Sequence, residues 1–322
     1  MENIKTFGFH KIKNSNWGIL AALLGLCIIL TIASESFLTA SNLLNVLQQI
    51  SINFIIAIGM SYIILLGDID LSVGSNAAFC GLVMAILMKD FMVPVGASVF
   101  IGILVAAGIG LMNGLLITIF NLPPFIATLG TMSIARGAAY TITAGQPIYT
   151  FPESFLAITG RIANIPVITI VIMAGLFILA AYVLKYTRYG RYIYAIGGNE
   201  KCAQLSGINV KKVRCFAYII TGVCCGVAGM LLTSRLDSAV PTNADGYEMD
   251  AIAAVVIGGI SMSGGEGKLL GTLIGALIIG VIANGLNLLN VPQGAQRMVK
   301  GLIIVVAVII DVMRKRAATK IS

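Results

Sequence analysis

The sequence predicts an all-α polytopic membrane protein with about ten transmembrane helices and both termini in the cytoplasm. Composition is the first reason: of 322 residues, 58% are hydrophobic and only 11% are charged, whereas a soluble domain carries about 25% charged residues. The apolar residues are also gathered into long runs, and the basic residues lie in bands between those runs. These three features exclude a chain built from soluble domains.

Ten apolar runs are candidate spans, because a helix needs about 20 mostly apolar residues to cross a bilayer. The third and eighth runs have the least sharply defined ends. The eighth is too short for a full crossing, which predicts a broken or re-entrant helix surrounded by protein or by a water-filled cavity. In chain order the runs cover residues 17–33, 43–66, 71–88, 93–119, 124–144, 165–184, 214–235, 250–262, 269–289 and 296–313.

The basic bands predict the orientation, because positively charged loops remain in the cytoplasm. Ten crossings place both chain ends and the central loop, residues 185–213, on the same side. The expected domains are a cytoplasmic N-terminal segment, 1–16, a single transmembrane domain, 17–313, and a cytoplasmic tail, 314–322. The three bands are Lys5, Lys11 and Lys13; Lys185, Arg188, Arg191, Lys201, Lys211, Lys212 and Arg214; and Arg314, Lys315, Arg316 and Lys320.

The residue inventory argues against an enzyme. Neither HExxH nor GxSxG occurs, and residues 264–269 lack the first Gly and the Ser or Thr of a phosphate-binding loop. The only histidine is His10, and the six cysteines include no CxxC pair, so no metal site or cofactor is expected in this chain. The banded charge also argues against nucleic-acid binding.

Three glycine pairs at a spacing of four allow close helix packing. Their simplest interpretation is packing within this chain, and the alternative is an interface with a second copy. The pairs are Gly110/Gly114, Gly222/Gly226 and Gly271/Gly275.

Two carboxylates interrupt the apolar sequence in the motif GDIDLSVGS, residues 67–75. They either face a cavity at a helix break or lie in a solvated cytoplasmic hairpin, in which case Ser72 is expected to cap the next helix. Arg136 falls near mid-bilayer and must pair or line water; an ion pair with Asp68 or Asp70 is as plausible as a role in solute passage. The candidate pathway or gate residues are Asp68, Asp70, Ser72, Asn113, Phe125, Thr128 and Arg136.

The central loop contains a second candidate site. Asn199 is expected to cap a short helix that ends near Ser206 and is closed by Gly207 in the left-handed conformation. Apolar Ala203 and Leu205 on such a helix favour docking into a groove of a soluble partner, and the alternative is a solvated basic linker. The docking candidates are Gly197, Gly198, Asn199, Glu200, Ala203, Leu205, Ser206 and Gly207.

Four motifs together resemble the permease subunit of ribose-type ABC sugar importers, in the branched-chain amino acid/sugar permease family. The similarity covers residues 40–312, although Asp68 stands where the family commonly has Gly. The motifs are GDIDLSVGS at 67–75, NLPPFIATLG at 121–130, YGRYIYAIGGNEKCAQLSGINVKKVR at 189–214 and YEMDAIAAVVIGGISMSGGEGKLLGTLIGALIIGVIANGLNLL at 247–289.

This resemblance implies a type II-like importer permease in the bacterial plasma (inner) membrane. It implies two permease copies forming the pathway, a cytoplasmic ATPase subunit that binds ATP and Mg, and an extracytoplasmic sugar-binding protein. Residues 197–207 correspond by position to the coupling helix. A ribose-like monosaccharide is the implied solute; other pentoses, hexoses and furanose-like signal molecules are compatible.

A competing class is an ion-coupled secondary transporter of a small polar solute. In that class Asp68, Asp70 and Arg136 serve proton or sodium coupling. Dependence on an ATPase partner discriminates the two, because a secondary transporter works when it is expressed alone.

Overall fold

The protein is described by a computed structural model covering residues 17–161 and 165–319. The predicted cytoplasmic segment 1–16 lies outside the described residues. So do the last three residues of the predicted tail, and the side chains of 314–319 are not described either. Every one of the ten apolar runs contains a helix.

The first half of the bundle contains five long helices and a short one. Thr39 begins the second helix by accepting a hydrogen bond from the Asn42 amide, and Pro123 precedes the fifth. Proline suits a helix start because its fixed φ fits the first turn. The elements are α1 (Trp17–Ala33), α2 (Ala40–Leu65), α3 (Val73–Lys89), α4 (Val95–Thr118), α5 (Pro124–Thr143), strand β1 (Ile148–Tyr149) and α6 (Glu153–Leu156).

The second half contains the remaining long helices and three shorter ones. Strand β2 pairs antiparallel with β1, which joins the two halves near one end of the bundle. The elements are α7 (Val167–Tyr186), α8 (Arg188–Gly198), α9 (Glu200–Leu205), α10 (Val210–Leu236), β2 (Ser238–Ala239), α11 (Tyr247–Ile257), α12 (Leu269–Leu288) and α13 (Gln293–Thr319).

The core is built around α2 and α10. Residues 54–65 of α2 are fully buried, and α10 packs between α2, α3 and α4. The α4–α10 contact depends on small residues: a Cβ at Gly110 would overlap the Tyr218 carbonyl oxygen, and one at Gly222 would overlap that of Ala106. A similar contact joins α11 and α12, where a Cβ at Gly271 would overlap the Gly258 carbonyl oxygen.

The glycine pairs therefore pack within this chain, as their simplest interpretation predicted. The second members make the same contacts: Gly114 lies against Cys215, Gly226 against Ile103 and Gly275 against Ala254.

The bundle has two ends, defined here by α10 as the Arg214 end and the Asp237 end. Thr118 near the end of α4 contacts Cys215 at the Arg214 end, with 3.2 Å between Oγ1 and Sγ. At the Asp237 end, the Phe151 amide donates to Asp237 Oδ1 over 3.0 Å, and Lys89 Nζ at the end of α3 donates to the Thr150 carbonyl over 2.9 Å. Hence α3 ends at the Asp237 end, α4 ends at the Arg214 end, and α10 runs back from the Arg214 end to the Asp237 end.

Within the part of the chain that the structure describes, five helices are long enough and apolar enough to cross a membrane by length and composition: α2, α4, α7, α10 and α12. The short helix predicted in the eighth run is present as α11. Its 11 residues extend about 16 Å at ~1.5 Å per residue, roughly half of a bilayer core. Residues 250–256 are all buried, so protein surrounds this broken element.

Candidate functional site

The capped helix predicted in the central loop is present as α9. The Asn199 side chain accepts a hydrogen bond from the Cys202 amide over 3.0 Å, which satisfies one of the free amides of the first turn. Ser206 follows the helix, and Gly207 adopts a φ of +82°. We call residues 197–207 the coupling segment.

The two apolar residues of α9 do not share one face. Ala203 is buried against this chain, whereas the Leu205 side chain is 89% exposed. The expectation that both residues enter a partner's groove is therefore wrong for Ala203, because only Leu205 is free to do so. Leu205 is therefore the one large apolar side chain that α9 leaves exposed.

The coupling segment packs against the rest of the bundle through main-chain contacts. A Cβ at Gly197 would overlap the Leu65 carbonyl oxygen, and the Gly265 amide donates to that same oxygen over 2.9 Å. Gly198 lies directly beside Gly265. The Tyr194 hydroxyl of α8 donates to the Gly267 carbonyl over 3.0 Å, and burial raises the pKa of this hydroxyl, so it remains a neutral donor.

The aspartates of the 67–75 motif are buried rather than solvated. We call residues 67–72, which connect α2 to α3 without helix, the acidic segment. Asp68 is 4% exposed and Asp70 is 2% exposed, so the solvated-hairpin alternative is wrong. Its second expectation is also wrong: Ser72 makes no capping bond to α3. Both its hydroxyl and its amide donate to Asp70 Oδ1 instead, over 2.6 Å and 2.8 Å.

Asp68 pairs with α10. Its Oδ2 atom lies 2.9 Å from Arg214 Nε and accepts a bond from the Tyr218 hydroxyl over 3.4 Å. Arg214 also reaches α9, where its Nη2 atom donates to Glu200 Oε2 over 3.0 Å. Because an isolated buried carboxylate is costly, the contact with Arg214 explains how Asp68 is tolerated there.

Two further candidates hold the acidic segment against neighbouring helices. Asn113 of α4 donates to Ser72 Oγ over 2.9 Å. The Thr128 hydroxyl of α5 lies 2.9 Å from the Pro124 carbonyl oxygen of its own helix and 3.3 Å from the Ile69 carbonyl oxygen of the acidic segment. Phe125 does not join this cluster, because its side chain is half-exposed on the outer surface of α5.

Arg136 pairs with neither aspartate, so the ion pair proposed from the sequence is wrong. Its Nη1 atom donates to the carbonyl oxygens of Pro241 and Asn243, the latter over 2.9 Å. Both carbonyls belong to the non-helical chain that leads into α11. Arg136 lies twelve residues after Pro124, about 18 Å along α5, and so holds this chain at depth in the bundle.

A cavity of about 370 Å³ opens beside Arg136, and we call it the α5 cavity. One wall is formed by α5 and the other by the start of α11, so hydroxyl, guanidinium and carboxylate groups face a common space. Such a mixture of donors and acceptors suits a polar, hydroxylated solute. The lining residues are Met132, Ser133, Arg136, Gly137, Tyr140, Asp245 and Glu248.

Two ion pairs bind α13 to the same region. Arg297 Nη2 lies 2.7 Å from Asp245 Oδ2, and Lys300 Nζ lies 2.8 Å from Asp250 Oδ2. Sequence reasoning missed Asp245, Glu248 and the bridging role of Arg214. The available signal for Arg214 was a basic residue at the very start of a span. Among residues 17–161 and 165–319, no three potential ligands from His, Cys, Asp and Glu are grouped to hold a metal ion.

Comparison with known proteins identifies similar chains. A family model described as the branched-chain amino acid transport system permease component matches residues 42–308. The ribose import permease protein of Haemophilus influenzae is 45% identical over 295 residues, covering 90% of this chain and 91% of the relative. That of Bacillus subtilis is 45% identical over 296 residues, covering 91% of each.

A third relative is named for a different sugar. The D-allose transport system permease protein of Escherichia coli is 40% identical over 282 residues, covering 87% of this chain and 86% of the relative. No solved structure matches the chain.

Proposed function

The chain belongs to the family of branched-chain amino acid transport system permease components, and from that membership we propose that it is the membrane-spanning subunit of an ATP-driven importer of a ribose-like monosaccharide. It forms the pathway by alternating access and carries no catalytic residue. ATP and Mg bind to a partner ATPase, and an extracytoplasmic protein delivers the sugar.

One observation carries this proposal: identity of 45% with ribose import permeases over nine-tenths of both chains. At the same time, relatives named for D-allose and for galactose are 40% and 33% identical. The shared chemistry is a monosaccharide with several hydroxyl groups. The alternative of an ion-coupled carrier is not favoured, since these relatives are named as import permeases and transport-system permeases.

We place the Arg214 end in the cytoplasm, with ten crossings and both termini inside. The directions of α3, α4 and α10 and the basic bands of the sequence support this topology. In it, the non-helical chain held by Arg136 crosses the outer half of the bundle, and α11 continues to the Arg214 end, where Gly258 lies against Gly271 at the start of α12. A single cysteine at position 204 in a cysteine-free background tests the orientation. We expect an impermeant thiol reagent to label it in inverted vesicles, and labelling in intact cells would contradict the topology.

The coupling segment is the proposed docking point of the ATPase. Three features support this: the capped helix α9, the exposed Leu205 and the seat of Gly197 on the backbone beside Leu65. A docked helix gains much of its binding energy from a few buried side chains. Leu205 is the one large apolar side chain that α9 offers for that purpose.

The α5 cavity is the proposed part of the pathway contributed by one chain. The same helix exposes apolar residues such as Ile126 and Ile134, and we assign the opposite wall of the cavity to a second copy of the permease. Arg136 then shapes the cavity by holding residues 241–243, while Ser133, Tyr140 and Glu248 face the sugar. Asp68, Asp70, Ser72, Asn113 and Thr128 lie outside the cavity and form its mechanical support.

Deleting the gene in its host and measuring uptake of labelled sugars tests the substrate class. We expect loss of uptake of one pentose or hexose, and competition by unlabelled sugars should rank the solutes. Unchanged uptake of every monosaccharide, together with lost uptake of a branched-chain amino acid, would contradict the sugar assignment.

A further inference from the structure

Arg214 connects two segments that are far apart in the sequence. Its Nη2 atom contacts Glu200, the first residue of α9, over 3.0 Å, and its Nε atom lies 2.9 Å from Asp68 in the acidic segment. The Arg214 side chain is 14% exposed and Asp68 4%, whereas Glu200 is 43% exposed. The bridge therefore begins at the cytoplasmic surface and ends inside the bundle.

From Asp68 the connection continues toward the α5 cavity. Within the same short segment, the Ile69 carbonyl oxygen lies 3.3 Å from the Thr128 hydroxyl of α5, and Ser72 accepts a bond from Asn113 of α4. Thr128 and Arg136 lie eight residues apart on one helix, about two turns. A displacement of the acidic segment is therefore passed to the helix that forms one wall of the cavity.

We propose that Arg214 is a positioning residue that transmits movement of α9 to the acidic segment, and through it to α4 and α5. The inference rests on the proposed docking of the ATPase on α9. Arginine suits the task because its planar fork can bind two carboxylates at once and cannot deprotonate. The buried pair of Arg214 and Asp68 is costly to separate, so a shift of Arg214 that follows Glu200 carries Asp68 with it.

A second physical link exists and must be distinguished. Gly197 contacts the backbone at Leu65 and Gly265, so α8 and α9 also press directly on the end of α2. If that contact alone carries the movement, the charges of Glu200 and Asp68 do not affect coupling. Removing each charge while keeping the shape of the side chain separates the two links.

The test uses the complete importer in proteoliposomes and measures sugar transported per ATP hydrolysed. Glu200→Gln is expected to lower this ratio by roughly fivefold or more, the lower range of coupling between sites. Asp68→Asn is expected to do the same, and the double variant should be no worse than the stronger single one. Glu266→Gln is the matched control, because it makes the same exchange of carboxylate for carboxamide at an exposed residue outside the bridge. Glu200→Asp keeps the charge and should therefore retain more of the wild-type ratio than Glu200→Gln.

Co-purification of the ATPase is measured on every variant. Asp68 is buried and does not touch a partner, so equal loss of coupling in Asp68→Asn and Glu200→Gln at full complex yield supports the bridge. Release of the ATPase by Glu200→Gln alone would overturn it and assign Glu200 to direct docking. A wild-type ratio in both variants would also overturn it. Absence of any wild-type complex would instead refute the proposed function. Thermal melting of Asp68→Asn shows whether it folds.

Discussion

The two apolar residues of α9, Ala203 and Leu205, have opposite environments. They are two positions apart on α9, yet Ala203 is buried and Leu205 is 89% exposed. The apolar character of both is visible in the sequence. Which of them points outward depends on how α9 lies against the bundle, and six helical residues are too few to show a periodic pattern.

Leu205→Asp is expected to release the ATPase. It would place a carboxylate in the docking groove, at a cost of several kcal/mol that lowers complex yield by about tenfold or more. Pull-down of the ATPase with solubilised permease measures the effect. Lys211→Asp is the control, because it adds a carboxylate nearby but outside α9, in the first turn of α10. Wild-type yield in Leu205→Asp would reduce the coupling segment to a linker.

Gly271→Ala is expected to destabilise the contact between α11 and α12. Its Cβ would overlap the Gly258 carbonyl oxygen, and overpacking of this kind costs about 1–3 kcal/mol. The melting temperature of the purified protein should fall. Gly175→Ala is the matched control, since a Cβ there meets nothing within 4 Å and alanine favours the helix. Equal melting temperatures for Gly271→Ala and the wild type would show that α11 and α12 accommodate the added methyl group, and would contradict this prediction.

At the scale of elements, the acidic segment has an environment that its own sequence does not reveal. Its glycine and its two aspartates predict a break between helices, and the break is present. Asp68 finds its partners in Arg214 and Tyr218, which lie about 150 residues further along the chain, whereas Asp70 is bonded by Ser72 within the segment itself. The same holds for Arg136: its carbonyl partners belong to a loop that only the tertiary fold brings to α5.

Long-range pairing of this kind limits what can be predicted. The ten apolar runs, the short α11 and the cap of α9 all follow from local composition and spacing, and all are present. The partners of the charged residues do not follow, because a charge in a span has several possible neighbours and the sequence ranks none of them.

Arg136→Met is expected to impair uptake while the ATPase still binds. The carbonyls of Pro241 and Asn243 lose their donor, so the chain before α11 loosens and the α5 cavity changes shape. Leaving buried acceptors unpaired costs about 1–3 kcal/mol each. Labelled-sugar uptake, ATPase pull-down and thermal melting measure the three effects.

The control is Arg297→Met, whose guanidinium lies in an exposed ion pair with Asp245. Such pairs contribute only about 0–1 kcal/mol, so its melting temperature should stay near that of the wild type. Normal uptake in Arg136→Met would restrict this arginine to local structure and remove it from the pathway.

At the scale of the whole molecule, the proposed function divides import between this chain, which forms the pathway, and partners that supply the energy and the sugar. In this proposal one permease has the coupling segment at its Arg214 end and the α5 cavity deeper in the bundle. The ion pairs of Arg214 lie between them. In the proposed function the energy comes from a partner ATPase bound at the Arg214 end, and differential binding of that partner to two conformations shifts the pathway between its open faces.

Sugar accumulation in proteoliposomes shows whether ATP hydrolysis by a partner or an ion gradient drives transport. The permease is reconstituted alone or with its ATPase, the sugar-binding protein and labelled sugar are added outside, and the lumen contains ATP and Mg or an ion gradient is imposed. We expect the sugar to accumulate only when the ATPase and lumenal ATP are both present. A proton or sodium gradient should not change its accumulation. Accumulation by the permease alone under an ion gradient would contradict the proposed function and make the protein a secondary transporter.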